Sequence, residues 1–162
     1  MKPKVLVSAC LMGHLVKYNG TLVPVHERLI EWNDKGLILP FCPEVEGGLP
    51  VPRPPAEIKN GDGSAVLCER AKVVRNDGID VTASFILGAT KAAALVKENG
   101  ISLAILKDGS PSCGNTRIYD GTFTGTGIPG KGVASALLAS IGVRIFTENE
   151  IEALFDDLSS TD

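Results

Sequence analysis

Three short apolar runs in this chain each lead to a cysteine set beside glycine or proline, and that repetition restricts the folds open to it. Val5, Leu6 and Val7 lead to Cys10 and Gly13. Residues 37–41 lead to Cys42 and Pro43, and residues 101–106 lead through Gly109 and Pro111 to Cys113. Apolar runs of this length bounded by turn residues read as buried strands. In an open parallel α/β sheet the carboxyl ends of the strands share one edge, and ligands bind in the crevice outside it. Three thiols remote in sequence are then expected to converge. The expected fold class is α/β, a Rossmann-like open parallel sheet with flanking helices and a small β excursion.

At 162 residues the chain has the length of one domain with a substantial core. It is read as a single α/β domain over residues 1–162, with 159–162 frayed. Helices are expected over residues 25–35, where Leu29, Ile30 and Trp32 offer an apolar face, and over 80–99, ended by Gly100. Val81, Phe85, Leu87, Ala92, Ala93, Leu95 and Val96 form the apolar face of the longer one. Further helices are expected over 133–139 and 149–158, the last opened by a capping box of Thr147 and Glu150. Around the Asn60-Gly61 turn, residues 65–67 and 72–75 predict an antiparallel excursion from the main sheet.

Residues 43–57 hold five of the ten prolines. Fixed φ angles and missing N–H donors predict a stiff extended loop there, neither helix nor central strand. Beside a thiol, such a loop holds Glu44, Glu46, Arg53 and Glu57 at set distances, and it is read as a wall of the site. Gly125, Gly127, Gly130 and Gly132 fit neither the Walker pattern nor a strand–GxGxxG–helix order. They are expected to let the backbone pass close to the site.

A net charge of −3 leaves no basic footprint for nucleic acid. No window approaches the ~18 apolar residues of a membrane-spanning helix, and no apolar signal region follows Met1 and Lys2. The expected location is the cytoplasm, where stable disulfides are rare. Cysteines past strand ends are there metal ligands, catalytic thiols or small buried hydrophobes. The absence of any CxxC pair counts against a zinc ribbon and against dithiol redox chemistry. Iron–sulfur clusters usually take four cysteines, and three would leave one metal position open to a substrate atom. Cys68 lacks the strand-end setting of the other three. A carboxylate beside such a centre, Glu44 or Glu46, would carry protons. Ser110 and Ser112 would hydrogen-bond a substrate or a cluster sulfur, so Ser112, Arg53 and Glu46 stand as candidate substrate-binding residues. His14, in the first loop, reads as a solvated or capping residue.

Three stretches together carry a family resemblance: Ser8-Ala9-Cys10-Leu11-Met12-Gly13, the run from Phe41 through Cys42-Pro43-Glu44 to Glu57, and the run from Ile105 through Ser110-Pro111-Ser112-Cys113 to Gly114. The chain resembles the thiouracil desulfurase family over about residues 4–155. The resemblance implies a Rossmann-like domain holding a [4Fe-4S] cluster on Cys10, Cys42 and Cys113. It also implies Glu44 as the catalytic carboxylate and Ser110 as the active-site serine. The implied reaction converts a thiolated pyrimidine, a free base or nucleoside, to the oxo compound plus sulfide, with the substrate sulfur at the iron that no cysteine holds. The competing reading is a non-enzymatic metal-binding module, zinc-holding or cluster-carrying. Glu44 and Ser110 beside the thiols favour the enzyme, since a purely structural site needs neither.

Overall fold

The structure is a computed structural model that describes residues 3–14, 18–20 and 24–160. In chain order its elements are β1 (Val5–Ser8), α1 (Glu27–Asp34), β2 (Ile38–Phe41), α2 (Pro43–Glu46), β3 (Ala56–Lys59), α3 (Gly63–Leu67) and β4 (Lys72–Arg75). There follow α4 (Thr82–Asn99), β5 (Leu103–Leu106), β6 (Arg117–Tyr119), β7 (Gly127–Pro129), α5 (Val133–Ser140), β8 (Arg144–Thr147) and α6 (Ile151–Ser160).

Strands β2, β1, β5 and β8 lie in that order in one parallel sheet. The chain moves outward from β1 to β2, then crosses back over β1 to lay down β5. That reversal is the topological switch point at which open α/β sheets bind ligands. Successive strand residues face opposite sides, and both sides are covered. Leu6, Ala104 and Leu106 pack with Ala92, Ala93 and Val96 of α4 and Leu138 of α5. Val5, Val7 and Ile105 pack with Leu29 of α1 and with Ile151, Leu154 and Phe155 of α6. Burial on both faces explains why these strands read as unbroken apolar runs. A third cluster, including Ile58, Val73, Phe85, Ile118 and Val133, joins the outlying strands to α4 and α5.

Several local expectations are corrected. Pro43 does not forbid a helix but begins one, because the first helical position needs no N–H donor. Only the later prolines of the 43–57 segment lie outside helix and strand. Residues 65–67 belong to α3, capped by Asp62 Oδ1 accepting the Ala65 N–H at 3.1 Å. The strand that pairs antiparallel with β4 is β3, and Asn60 turns between β3 and α3 with φ of 70°. Of the glycines from 125 to 130 only Gly127 lies in a strand, β7, which pairs antiparallel with β6 and has no strong alternating signal. On α1 the apolar face is narrower than expected: Leu29 is buried, whereas Ile30 is 49% exposed. Leu87 of α4 likewise faces solvent. The Thr147–Glu150 capping box is present, and α6 runs to Ser160. Residues 161–162, with Met1 and Lys2, lie outside the described residues.

Candidate active site

Beyond the carboxyl ends of β1, β2 and β5 lies a cleft of about 540 Å³, and all three strand-end cysteines line it. Cys10 sits in a single 3-10 turn directly after β1. Cys42 is the residue before the first turn of α2, and Cys113 lies in the loop after β5. Burial pushes the Cys113 thiol well up. A hydrogen bond with Ser8 opposes that rise, while the neighbouring Cys42 and Cys10 thiols add to it. Burial also raises Cys42, against backbone hydrogen bonds from Val45 and Glu44. Cys113 is thus close enough to feel the charge of both other sulfurs, and the surroundings of Cys42 and Cys113 disfavour free thiolates.

Glu44 enters the cleft from the first turn of α2. Its Oε1 pairs with Arg53 Nε at 3.2 Å, and both side chains are largely buried. Arg53 is itself fixed by donating from Nη1 to the Pro50 carbonyl at 3.0 Å. On the other oxygen, Oε2, Ser112 Oγ donates at 2.8 Å and Ser110 Oγ lies at 3.3 Å. The two serine hydroxyls are 2.9 Å apart. Ser112 also approaches Cys113 Sγ at 3.7 Å. Arg53 thus holds one carboxylate oxygen while the other ends a hydroxyl chain that reaches a thiol.

The two serines differ. Ser110 Oγ accepts the N–H groups of Ser112 and Cys113, both at 3.1 Å, and so folds the loop. Ser112 is 1% exposed and makes the shorter contact to Glu44. Asp108 braces the same loop: its Oδ1 accepts the N–H groups of Asn115, Thr116 and Arg117 at 2.9–3.2 Å. Burial works to raise the Asp108 carboxyl. Hydrogen bonds from Thr116, Asn115 and Arg117 outweigh it and hold it at about 2, below the ordinary 3.8. Gly132, ahead of α5, passes so close that a Cβ there would stand 2.5 Å from the Ser112 carbonyl carbon. The α5 N–H groups then reach the loop, Val133 to Pro111 O at 2.8 Å and Ala134 to Ser112 O at 2.9 Å.

Cys10, Cys42, Cys113, Glu44, Arg53, Ser110 and Ser112 share the cleft; Glu46 does not line it. Positions two apart on a helix turn face different ways, so α2 can aim only one of its two carboxylates inward. Cys68 is exposed at the end of α3 and His14 is exposed in its loop; neither lines the cleft. Glu57 lines it, and its Oε1 accepts the Gly121 and Phe123 N–H groups. Ser8, Tyr119 and Phe123 also line the cleft without having been singled out in the sequence. Ser8 had a signal, as the polar residue closing an otherwise apolar strand. The aromatic pair had none, because the β6–β7 pairing that places it is tertiary.

Among the described residues no three His, Cys, Asp or Glu side chains close on a single metal ion. A [4Fe-4S] cluster makes a different demand, spreading its thiolates over separate irons. The donor set present, three thiols in one cleft, two buried and one half-buried, with a carboxylate and two hydroxyls beside them, fits such a cluster better than it fits zinc. The fold and the cleft define a Rossmann-like α/β protein with a three-thiol centre at its sheet edge. The sequence pattern of the 2-thiouracil desulfurase family matches residues 5–150, and the chain belongs to that family. It is 45% identical over 147 residues to YbbK of Bacillus subtilis (strain 168), a protein described as uncharacterized, covering 91% of this chain and 97% of YbbK. A solved structure of TudS, described as a [4Fe-4S]-dependent thiouracil desulfidase, superimposes with a TM-score of 0.87 at 45% identity. That match covers 98% of this chain and 99% of TudS.

Proposed function

We propose that this protein is a [4Fe-4S]-dependent desulfurase that converts a thiolated pyrimidine, as the free base or nucleoside, to its oxo form and sulfide. One observation carries the reading: Glu44 stands in the same cleft as Cys10, Cys42 and Cys113, joined to the Cys113 loop through Ser112. Held by those cysteines, a [4Fe-4S] cluster supplies an iron without a cysteine ligand, a Lewis acid for the thiocarbonyl sulfur. Net chemistry replaces C=S by C=O, consumes water and releases sulfide, so no electrons are gained or lost.

The protein's own part is positioning and proton transfer. Arg53 fixes Glu44 Oε1, leaving Oε2 to accept a proton from the attacking water. Ser112 and Ser110 extend from Oε2 as a hydroxyl chain along which that proton passes toward the departing sulfur. Cys42 and Cys113, unfavourable as free thiolates, would be stabilised as metal ligands, and the thiols release protons on loading. All of this falls to one α/β domain spanning the chain. A centre built on reduced thiols suits a reducing compartment, and on that ground we read the protein as cytoplasmic; a net charge of −3 favours a small thiolated base or nucleoside over nucleic acid. No helix among the described residues is long and apolar enough to cross a membrane.

Protein purified without oxygen is expected to hold about four iron and four acid-labile sulfide per chain and to release sulfide from 2-thiouracil. Replacing Cys10, Cys42 or Cys113 by Ala should abolish both iron content and turnover. Glu44→Ala should keep the iron and lose roughly 100-fold or more in rate. Normal turnover by Glu44→Ala would sink this mechanism, and zinc in place of iron would move the assignment to a binding module.

A further inference from the structure

The loop joining β6 to β7 forms a rim of the cleft, distant in sequence from Cys10, Cys42 and Glu44. At its tip Phe123 has a φ of 59°, a left-handed conformation that bulky side chains seldom adopt. Strain of this kind persists only where the surroundings over-determine it, and it gathers at ligand clamps. Here the surroundings do so. Glu57 Oε1 accepts the N–H of Gly121 at 2.9 Å and that of Phe123 at 3.2 Å. Gly121 lies so tightly on β3 that a Cβ would stand 2.7 Å from the Ile58 carbonyl oxygen. Asp120 N–H donates to Thr126 O at 3.0 Å and closes the loop.

Core packing does not explain the Phe. It belongs to none of the three apolar clusters, is only half-buried and lines the cleft. The other aromatic of this rim, Tyr119, has the Arg117 guanidinium over its ring at 5.6 Å. Among the described residues Phe123 has no ring or cation partner. An apolar ring is therefore held at a backbone cost, beside the reactive groups, with no aromatic or cationic neighbour of its own.

We infer that Phe123 is a specificity-determining residue, stacking on the planar heterocycle of the substrate, and that Glu57 is the positioning residue that keeps it in place. The inference rests on the desulfurase reading and names how that site recognises its substrate: through the flat face of a ring. Stacking contributes in proportion to shared π surface, so a larger ring at position 123 serves and an aliphatic one does not.

The test uses iron-loaded enzyme. With 2-thiouracil as substrate and uracil as competitive inhibitor, Phe123→Ala should raise both KM and the uracil inhibition constant roughly 10-fold, with iron content unchanged. Phe123→Trp should stay near wild type, and Phe123→Leu should behave like the Ala variant. Glu57→Ala should weaken uracil binding in the same direction, and Glu57→Gln, which keeps an acceptor oxygen, should restore it. Phe123→Gly removes the same ring without the strain, so it should unfold about 2–4 °C above the Ala variant. Should the Ala variant fail to fold, the Gly variant carries the same binding test. An active wild type whose ring-less variant binds uracil unchanged overturns the clamp alone. A wild type that holds iron and leaves 2-thiouracil untouched overturns the desulfurase reading, and the clamp's substrate with it.

Discussion

Cys42 and Cys113 line one cleft, yet the segments that carry them are built on different physics. The Cys42 wall is held by close packing and a buried ion pair. A Cβ at Gly88 of α4 would stand 1.8 Å from the Pro43 carbonyl oxygen, and one at Gly47 would stand 2.1 Å from that of Ser84. The α2 turn therefore rests on α4 at a distance that only glycine permits. Arg53 then pins Glu44 from the other side. The Cys113 wall is held by hydrogen bonds, with Asp108 and Ser110 each accepting several backbone N–H groups. Contacts with backbone atoms are stiff and fail abruptly, because close-packed interiors have little room to yield. A hydrogen-bonded loop yields in smaller steps, since each net bond contributes only ~1 kcal/mol.

The contrast can be broken most severely at Arg53. Truncation to Ala leaves the Glu44 carboxylate buried without its partner, and unfolding should show a loss of about 3–5 kcal/mol. Stability equal to wild type would mean that Glu44 finds another partner or reaches water. Gly88→Ala comes next. In an exposed helix interior that change stabilises by about 0.5–1 kcal/mol. Here the clash with Pro43 should reverse the sign, costing about 1–3 kcal/mol and lowering iron content as Cys42 shifts. Full iron loading and unchanged stability would show that packing does not hold the Cys42 wall.

The smallest effect is expected on the hydrogen-bonded side, at Asp108. A carboxyl held at about 2 in the folded chain contributes stability that is fully present above its unfolded value near 3.8 and is lost as pH falls through about 2. Asp108→Asn should thus lower the unfolding temperature at neutral pH. Its gap from wild type should close on acidification through the window between those two values. A gap that held constant across that window would assign the effect to lost geometry rather than to charge.

Most of the sheet was legible in the chain because its strands are buried on both faces, and local composition alone marks such runs. The thiols were legible for the same reason, each lying just past a run of this kind. Spacing alone left Glu44 and Glu46 open, and only the family motif pointed to Glu44; its placement depends on one helical turn that the proline content argued against. The β6–β7 pair and Phe123 were not legible. Short strands of three residues carry little periodic signal, and their pairing is decided by contacts with β3, α4 and α5.

What the amino-acid sequence determined by itself is the class of fold, the three thiols at one sheet edge and the motifs of the family. Each follows from strand-length apolar runs and the residues that end them, which are local quantities. Tertiary structure alone decided how Glu44 is held, which serine folds the loop and which makes the shorter bond to Glu44, and what closes the rim. Those depend on distances between segments tens of residues apart, set by glycine-permitted approaches such as Gly88 on Pro43 and Gly132 on Ser112. A missing Cβ leaves no pattern in sequence from which its neighbour can be read.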